Sequence, residues 1–280
     1  MPCCSPDAAP ARRLLALFLA LLACVLPLCS RAAEDRDAAA LRASQAAIGR
    51  TVGDWTFTDR RGRTVRLSDY RGKPLVVSFI YTGCFQVCPT TTQFLKRASL
   101  AARDALGAGS FRVVSIGFNQ PFDNPEALAA FARQQGVDLD NWEFLAPREA
   151  DVRALLAEFG MAVTPTAAGF DHLIQATVVD ARGRIHAQVY GDAFALPMLI
   201  NPLKEVLAGE AARSVTLDNV WRKVKLYCTV YDPASGKYKF DYSLFVELFA
   251  GLTTLGVLAW FIARETRRHL RSRRAPSNPS

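Results

Sequence analysis

The run Leu75-Val76-Val77-Ser78-Phe79-Ile80 constrains this chain more than any other segment. It is apolar throughout except for one serine, and it does not alternate. A strand of that kind is buried on both faces, as in the centre of a largely parallel sheet. Pro89 follows at a position suited to the first turn of a helix, and Phe94, Leu95, Ala98, Ala101 and Ala102 continue at helical spacing. Further on, the sequence predicts a strand at Arg112–Gly117, a helix opening at Asn124-Pro125-Glu126, a strand at Trp142–Leu145 and a helix at Glu149–Phe159. Strands Ile174–Asp180 and Ile185–Tyr190, turned by Ala181-Arg182-Gly183, and a helix Leu196–Leu207 close the region. Ahead of the run, Trp55–Thr58 and Thr64–Leu67 alternate around Asp59-Arg60-Arg61-Gly62, a hairpin signal. Strands alternating with helices give an α/β class with an antiparallel hairpin at the end. About 160 residues suffice for one proper core.

Two apolar segments flank this unit. Arg12 and Arg13 precede a nearly pure Leu/Ala/Val/Phe run, Leu14 to Leu28, with small residues at Ser30, Ala32 and Ala33. This reads as a secretory signal peptide over residues 1–33, with an uncleaved anchor or lipid attachment at Cys24 as alternatives. Ser243 to Ala263 contains a single charge, Glu247. A helix of about 21 residues spans about 30 Å, enough for a bilayer core. Beyond it, six arginines from Arg264 to Arg274 face only Glu265, and the positive-inside rule places this tail, residues 264–280, in the cytoplasm. The expected setting is a bacterial inner membrane with one C-terminal span and the functional domain in the periplasm.

The formal charge of +8 then resolves. The tail carries +5, and Arg12, Arg13 and Arg31 against Asp7 carry +2, leaving +1 for everything between. Nucleic-acid binding loses its main support. The implied organisation is a linker or surface helix at 34–50, the α/β domain at 51–211, a juxtamembrane module at 212–242 and the transmembrane helix at 243–263. Within the module, Leu226–Tyr231 and Lys237–Phe240 flank Asp232-Pro233-Ala234-Ser235-Gly236, a second hairpin signal.

The chemistry concentrates at Thr82-Gly83-Cys84-Phe85-Gln86-Val87-Cys88-Pro89, a strand-to-helix junction. Two cysteines four apart at a helix mouth project from one face, and the helix N-terminus lowers their pKa values. The pair can be a reducible disulfide, a soft two-sulfur metal site, or a structural disulfide; a short loop gains little from a structural bridge. His172, in Gly169-Phe170-Asp171-His172-Leu173, stands at a strand entrance after a glycine-containing loop. It is either an ordinary core or surface residue or a third ligand. Two thiolates with one imidazole suit copper, as Cu(I) or Cu(II), whereas structural zinc wants a fourth ligand. His186 and His269 carry no expected role. Cys228 is expected to be buried in an aromatic strand, or paired with a partner. Removing the signal would leave Cys84, Cys88 and Cys228 of the seven cysteines.

The strand Leu75–Ile80, the Tyr81-Thr82-x-Cys84-x-x-x-Cys88-Pro89 junction and the Asp171-His172 pair resemble the Sco/SenC family of copper-binding, thioredoxin-like proteins over about Val52 to Leu207. The resemblance implies a thioredoxin-like three-layer fold with a central mixed sheet, and copper held by Cys84, Cys88 and His172. It also implies a role at the binuclear copper centre of cytochrome c oxidase. The partner would be that enzyme's copper-receiving subunit, or another copper chaperone. Phe85-Gln86 stands where the family often has Pro-Asp, and Gly117-Phe118 where it often has Asp-Pro. Two other activities compete with a metallochaperone. One is a thiol–disulfide oxidoreductase, with Cys84 attacking and Cys88 resolving. The other is a peroxide-reducing enzyme, which the close cysteine pair disfavours.

Overall fold

A computed structural model describes residues 35–85, 87–167, 169–191, 195–211, 217–232, 235 and 237–272. The signal segment 1–33 and its cysteines lie outside the described residues. The chain divides into one compact unit ending at Leu207 and a second beginning at Ala208.

The first unit is built on a seven-stranded mixed sheet, ordered β2-β1-β5-β4-β3-β8-β9. At its centre lies β3 (Leu75–Ile80), in which all six residues are buried. β3 pairs in parallel with β4 (Arg112–Gly117), and β4 in parallel with β5 (Trp142–Pro147). On its other side β3 pairs antiparallel with β8 (Gln175–Val179), which continues to β9 (Ile185–Tyr190). The hairpin β1 (Thr56–Asp59) and β2 (Thr64–Arg66) extends the far edge through β5. Helix α2 (Val87–Leu106) joins β3 to β4, and α3 (Pro125–Gln134) joins β4 to β5. Both crossovers step the same way across the sheet, and the right-handed rule puts both helices on one face. The Gln93 amide accordingly donates to the Gln135 carbonyl at 2.7 Å, just past α3. Asn124 caps α3 by accepting the Ala127 N–H, with Pro125 in the first turn. The topology is the expected thioredoxin-like α/β fold.

Residues 35–47 form a helix, α1, whose inner face is buried at Ser44 and Ala47. It lies against Gly160, just past α4 (Val152–Glu158), where φ is +68°. A Cβ there would stand 2.5 Å from the Ala43 carbonyl oxygen. The Gln45 amide donates to the Tyr190 hydroxyl at 2.7 Å, and the Gly49 N–H to the Ile185 carbonyl at 2.8 Å. This stretch, between the apolar leader and the domain, is hydrogen-bonded to the sheet.

Two short strands stand apart from the main sheet. β6 (Val163–Thr166) and β7 (Gly169–His172) pair only with each other, with His172 opposite Val163. His172 therefore ends a separate hairpin, instead of leading into the strand that follows. α5 (Leu196–Ala211) follows and runs past the end of the unit at Leu207.

In the second unit, α6 (Leu217–Cys228) precedes the hairpin β10 (Thr229–Asp232) and β11 (Lys237–Phe240). The expected hairpin forms, but its first strand starts at Thr229. Leu226-Tyr227-Cys228 instead completes the last turn of α6, and Cys228 is buried there as a free thiol. The amphipathic spacing of Val220 and Val224 overrides the strand preference of the aromatic stretch. α7 (Ser243–Ser272) contains the 22 residues Ser243–Arg264, long and apolar enough to cross a membrane. Along this stretch the Thr253 and Thr254 hydroxyls bond back to carbonyls of the preceding turn, at 2.8 to 2.9 Å.

Candidate metal and redox site

At the C-terminal end of β3 the chain turns sharply through Tyr81-Thr82-Gly83, with the Cys84 N–H donating to the Tyr81 carbonyl at 3.1 Å. Cys84 lies ahead of α2, and Cys88 is its second residue. The two are thus not stacked on one helix face as the spacing suggests. Instead the Cys84 sulfur accepts the Cys88 N–H at 3.3 Å, satisfying one of the helix's orphan N–H groups. Neither is in a disulfide; Cys84 is half-buried and Cys88 buried. Burial dominates over the helix terminus at Cys88 and pushes its pKa up to about 12, the opposite of the lowering expected for both cysteines. Phe85, between them, is 96% exposed.

Asp123 fixes the start of this loop. Its buried carboxylate accepts the N–H and the hydroxyl of Thr82 and the N–H of Asn119, each at 2.7 Å. Burial holds its pKa above the usual aspartate range despite these bonds. Gly117 permits the approach, because a Cβ there would stand 2.6 Å from that of Asp123.

An aromatic cluster joins the loop to the β6–β7 hairpin. The Tyr81 ring meets Phe118 and Phe170 edge-on, at 5.6 and 5.1 Å between centroids, and Phe118 meets the His172 ring at 5.8 Å. Phe118 therefore packs between the Tyr81 ring and His172. The imidazole Nδ1 is engaged with the Leu173 carbonyl at 3.1 Å, which leaves Nε2 for coordination. Cys88 and His172 line one small cavity of about 20 Å³ with Val87, Thr91 and Ile174, room for a single water or ion. Cys84 is not among that cavity's lining residues. Among the described residues no three His, Cys, Asp or Glu side chains are gathered into a ready-made metal cluster. The donor set fits a soft ion chemically, two sulfurs and one nitrogen, but full three-fold ligation requires the hairpin or the Cys84 loop to shift. His186 is elsewhere, paired with Glu205 at 3.0 Å.

Tyr81, Asp123, Phe118 and Phe170 carry the site's geometry, and sequence reasoning assigned none of them a role. Tyr81 and Phe170 lie next to the cysteines and to Asp171-His172 in sequence, whereas Phe118 and Asp123 lie 30 or more residues from either.

Comparison with known proteins follows this geometry. The model of the SCO1/SenC family matches residues 43–207. A SCO1 protein homolog from Bacillus subtilis (strain 168) is 29% identical over 96 residues, 34% of this chain and 48% of the relative. The chain thus spans about half the length of that curated relative. A solved structure from Aquifex aeolicus VF5 is 26% identical with a TM-score of 0.51, covering 56% of this chain and 92% of that one. A SCO1/SenC family lipoprotein from Bacillus anthracis str. Ames has the same fold, at 24% identity and a TM-score of 0.51, over 56% of this chain and 94% of that one.

Proposed function

Because the chain belongs to the SCO1/SenC family, we propose that it is a membrane-tethered copper chaperone of the periplasm, with Cys84, Cys88 and His172 as the copper ligands. The observation that carries this reading is the cavity shared by Cys88 and His172 at the mouth of α2, close in sequence to the reduced Cys84. Copper is cargo here, bound by the two sulfurs and the imidazole and passed on by ligand exchange. The recipient on this reading is the copper-receiving subunit of cytochrome c oxidase or another copper chaperone. Thiolates favour Cu(I), and the imidazole lets the site hold Cu(II) as well. The apolar stretch Ser243–Arg264 supplies the tether. The arginine-rich tail beyond it favours a cytoplasmic end, with the domain on the opposite side.

Copper titration of the reduced full-length protein tests this. One ion per chain is expected, with binding weakened at least ten-fold in His172→Ala and abolished in Cys84→Ser/Cys88→Ser. Unchanged affinity in His172→Ala would remove the three-ligand model.

A second activity is favoured by the unequal burial of the two thiols. A half-buried Cys84 can attack a partner's disulfide while buried Cys88 waits to resolve it. Cys88→Ser should then trap a mixed disulfide through Cys84.

A further inference from the structure

Residues 227–242 hold four of the chain's seven tyrosines, Tyr227, Tyr231, Tyr238 and Tyr242, and the apolar stretch of α7 begins at the next residue. Trp221 precedes them, and Trp260 lies toward the other end of that stretch. The elements that carry the tyrosines meet at the head of α7. The Asp241 N–H donates to the carbonyl of Cys228, the last residue of α6, at 2.7 Å. The Asp241 carboxylate accepts the Ser243 N–H at 2.9 Å. Phe240, which ends β11, meets Tyr242 and Phe245 at 4.8 and 5.9 Å between ring centroids. Across the hairpin Tyr231 faces Tyr238, with centroids 5.4 Å apart. The C-terminal end of α6 is thus fixed beside the first turn of the apolar stretch.

α6 has two unlike faces. At 3.6 residues per turn, Val220, Trp221, Val224 and Tyr227 occupy an arc of about 120°, with Lys223 and Lys225 about 40° outside it on either side. Val220 is 49%, Trp221 53% and Tyr227 77% exposed, whereas Leu226 on the opposite side is buried. Cys228, in the same arc, is buried where the helix meets the hairpin. The Lys225 ammonium stands over the Trp221 ring, 5.7 Å from its centroid. An apolar face with aromatic rings, bordered by lysines whose stems carry their charges outward, suits a helix lying flat in a bilayer interface. Tryptophan and tyrosine concentrate at that depth. Arg222, Lys223 and Lys225 against Asp218 give α6 a charge of +2, which complements anionic headgroups.

We propose that α6 and the β10–β11 hairpin form an interfacial foot, with the Val220, Trp221, Val224 and Tyr227 face of α6 laid on an anionic lipid surface beside the point where α7 enters. The proposal rests on the reading of Ser243–Arg264 as a membrane span. Lipid is the occupant because one end of the face is fixed at the head of that span. A helix of 12 residues reaches only about 18 Å from there, so lying flat keeps the whole face at headgroup level.

The experiment uses the full-length chain in nanodiscs of phosphatidylcholine with or without phosphatidylglycerol. The phosphatidylcholine is either plain or brominated on its upper acyl chain, which quenches tryptophan on contact. Trp55 and Trp142 belong to the first unit, so Trp260→Phe leaves Trp221 as the single tryptophan of the second, and Trp221→Phe leaves Trp260. In Trp260→Phe, brominated lipid should quench a component of the emission that is missing in Trp221→Phe/Trp260→Phe. Adding Lys223→Glu/Lys225→Glu should reduce this quenching at least two-fold in discs containing phosphatidylglycerol. Quenching no greater than in the double tryptophan variant would overturn the proposal, and this is the result if protein or water covers the face. Quenching unchanged by the charge reversals would overturn the assignment to anionic lipid. Trp221→Phe reports on the span separately. If Trp260 is quenched and Trp221 is not, the span stands and the foot falls; if neither is quenched, both fall.

Discussion

Asp123 accepts two hydrogen bonds from one residue, taking both the main-chain N–H and the hydroxyl of Thr82 at 2.7 Å. A third, from the Asn119 N–H, completes the carboxylate's partners and closes its own loop. The β4–α3 connection therefore holds Thr82, the second residue of the turn that presents Cys84. Asp123→Ala should leave these donors buried without partners, at a cost of about 1–3 kcal/mol each before relaxation. Thermal unfolding should show the loss, and DTNB should reach Cys88 faster as the turn loosens. Asp123→Asn keeps one acceptor and should fall between.

In the sheet, Ser78 and Ser115 lie side by side on β3 and β4 with their hydroxyls 2.8 Å apart, and the Trp142 indole N–H donates to Ser115 at 3.0 Å. Ser115→Ala should leave Trp142 a buried donor without an acceptor, costing about 1–3 kcal/mol. Ser115→Thr retains the oxygen but adds a methyl group, and overpacking should still cost about 1–3 kcal/mol. Denaturant melts of both variants, compared for midpoint and slope, check this.

Gly160 tests whether α1 belongs to the folded unit. At φ +68°, with a Cβ 2.5 Å from the Ala43 carbonyl, Gly160→Ala cannot be accommodated while α1 stays docked. Hydrogen exchange along residues 35–47 should accelerate by an order of magnitude or more in that variant. An exchange pattern identical to the native one would show α1 to be merely adjacent.

Acid should weaken the β1–β2 corner. Burial alone would raise the pKa of Asp59, but main-chain N–H groups of Arg61 and Arg63 and the Arg63 guanidinium bring it below the usual value. A depressed carboxylate contributes stability above its unfolded pKa and loses it as pH falls through the folded one. The contribution should therefore be intact at pH 7 and disappear below about pH 4. Asp59→Asn should lower the thermal midpoint at pH 7 by more than it does at pH 3.

How much of this was legible beforehand depended on periodicity. β3, β4 and β9 fall on their expected residues because continuous or alternating apolar runs survive any packing. β6 and β7 left no such mark: four residues each, β6 largely exposed and β7 mostly half-buried, with Pro165 in one and Gly169 in the other. The chemistry of Cys84, Cys88 and His172 could be read from residue type and spacing. The burial that raises the Cys88 pKa could not, since it depends on helix α2 pressing that residue against the sheet. Nor could Asp123 or Tyr81 be assigned, because their partners lie far along the chain or on a hairpin that sequence did not reveal.

The separateness of β6 and β7 bears on how cargo would leave. The hairpin's hydrogen bonds close on themselves, so it can swing without tearing any rung of the seven-stranded ladder. Such small, peripheral pieces open at far lower free energy than the whole domain unfolds. An ion bound as proposed would be a rivet between a stiff frame and a light arm. The arm's imidazole would then detach first, at little expense to the frame, and a recipient could fill the vacated position while both sulfurs still hold on.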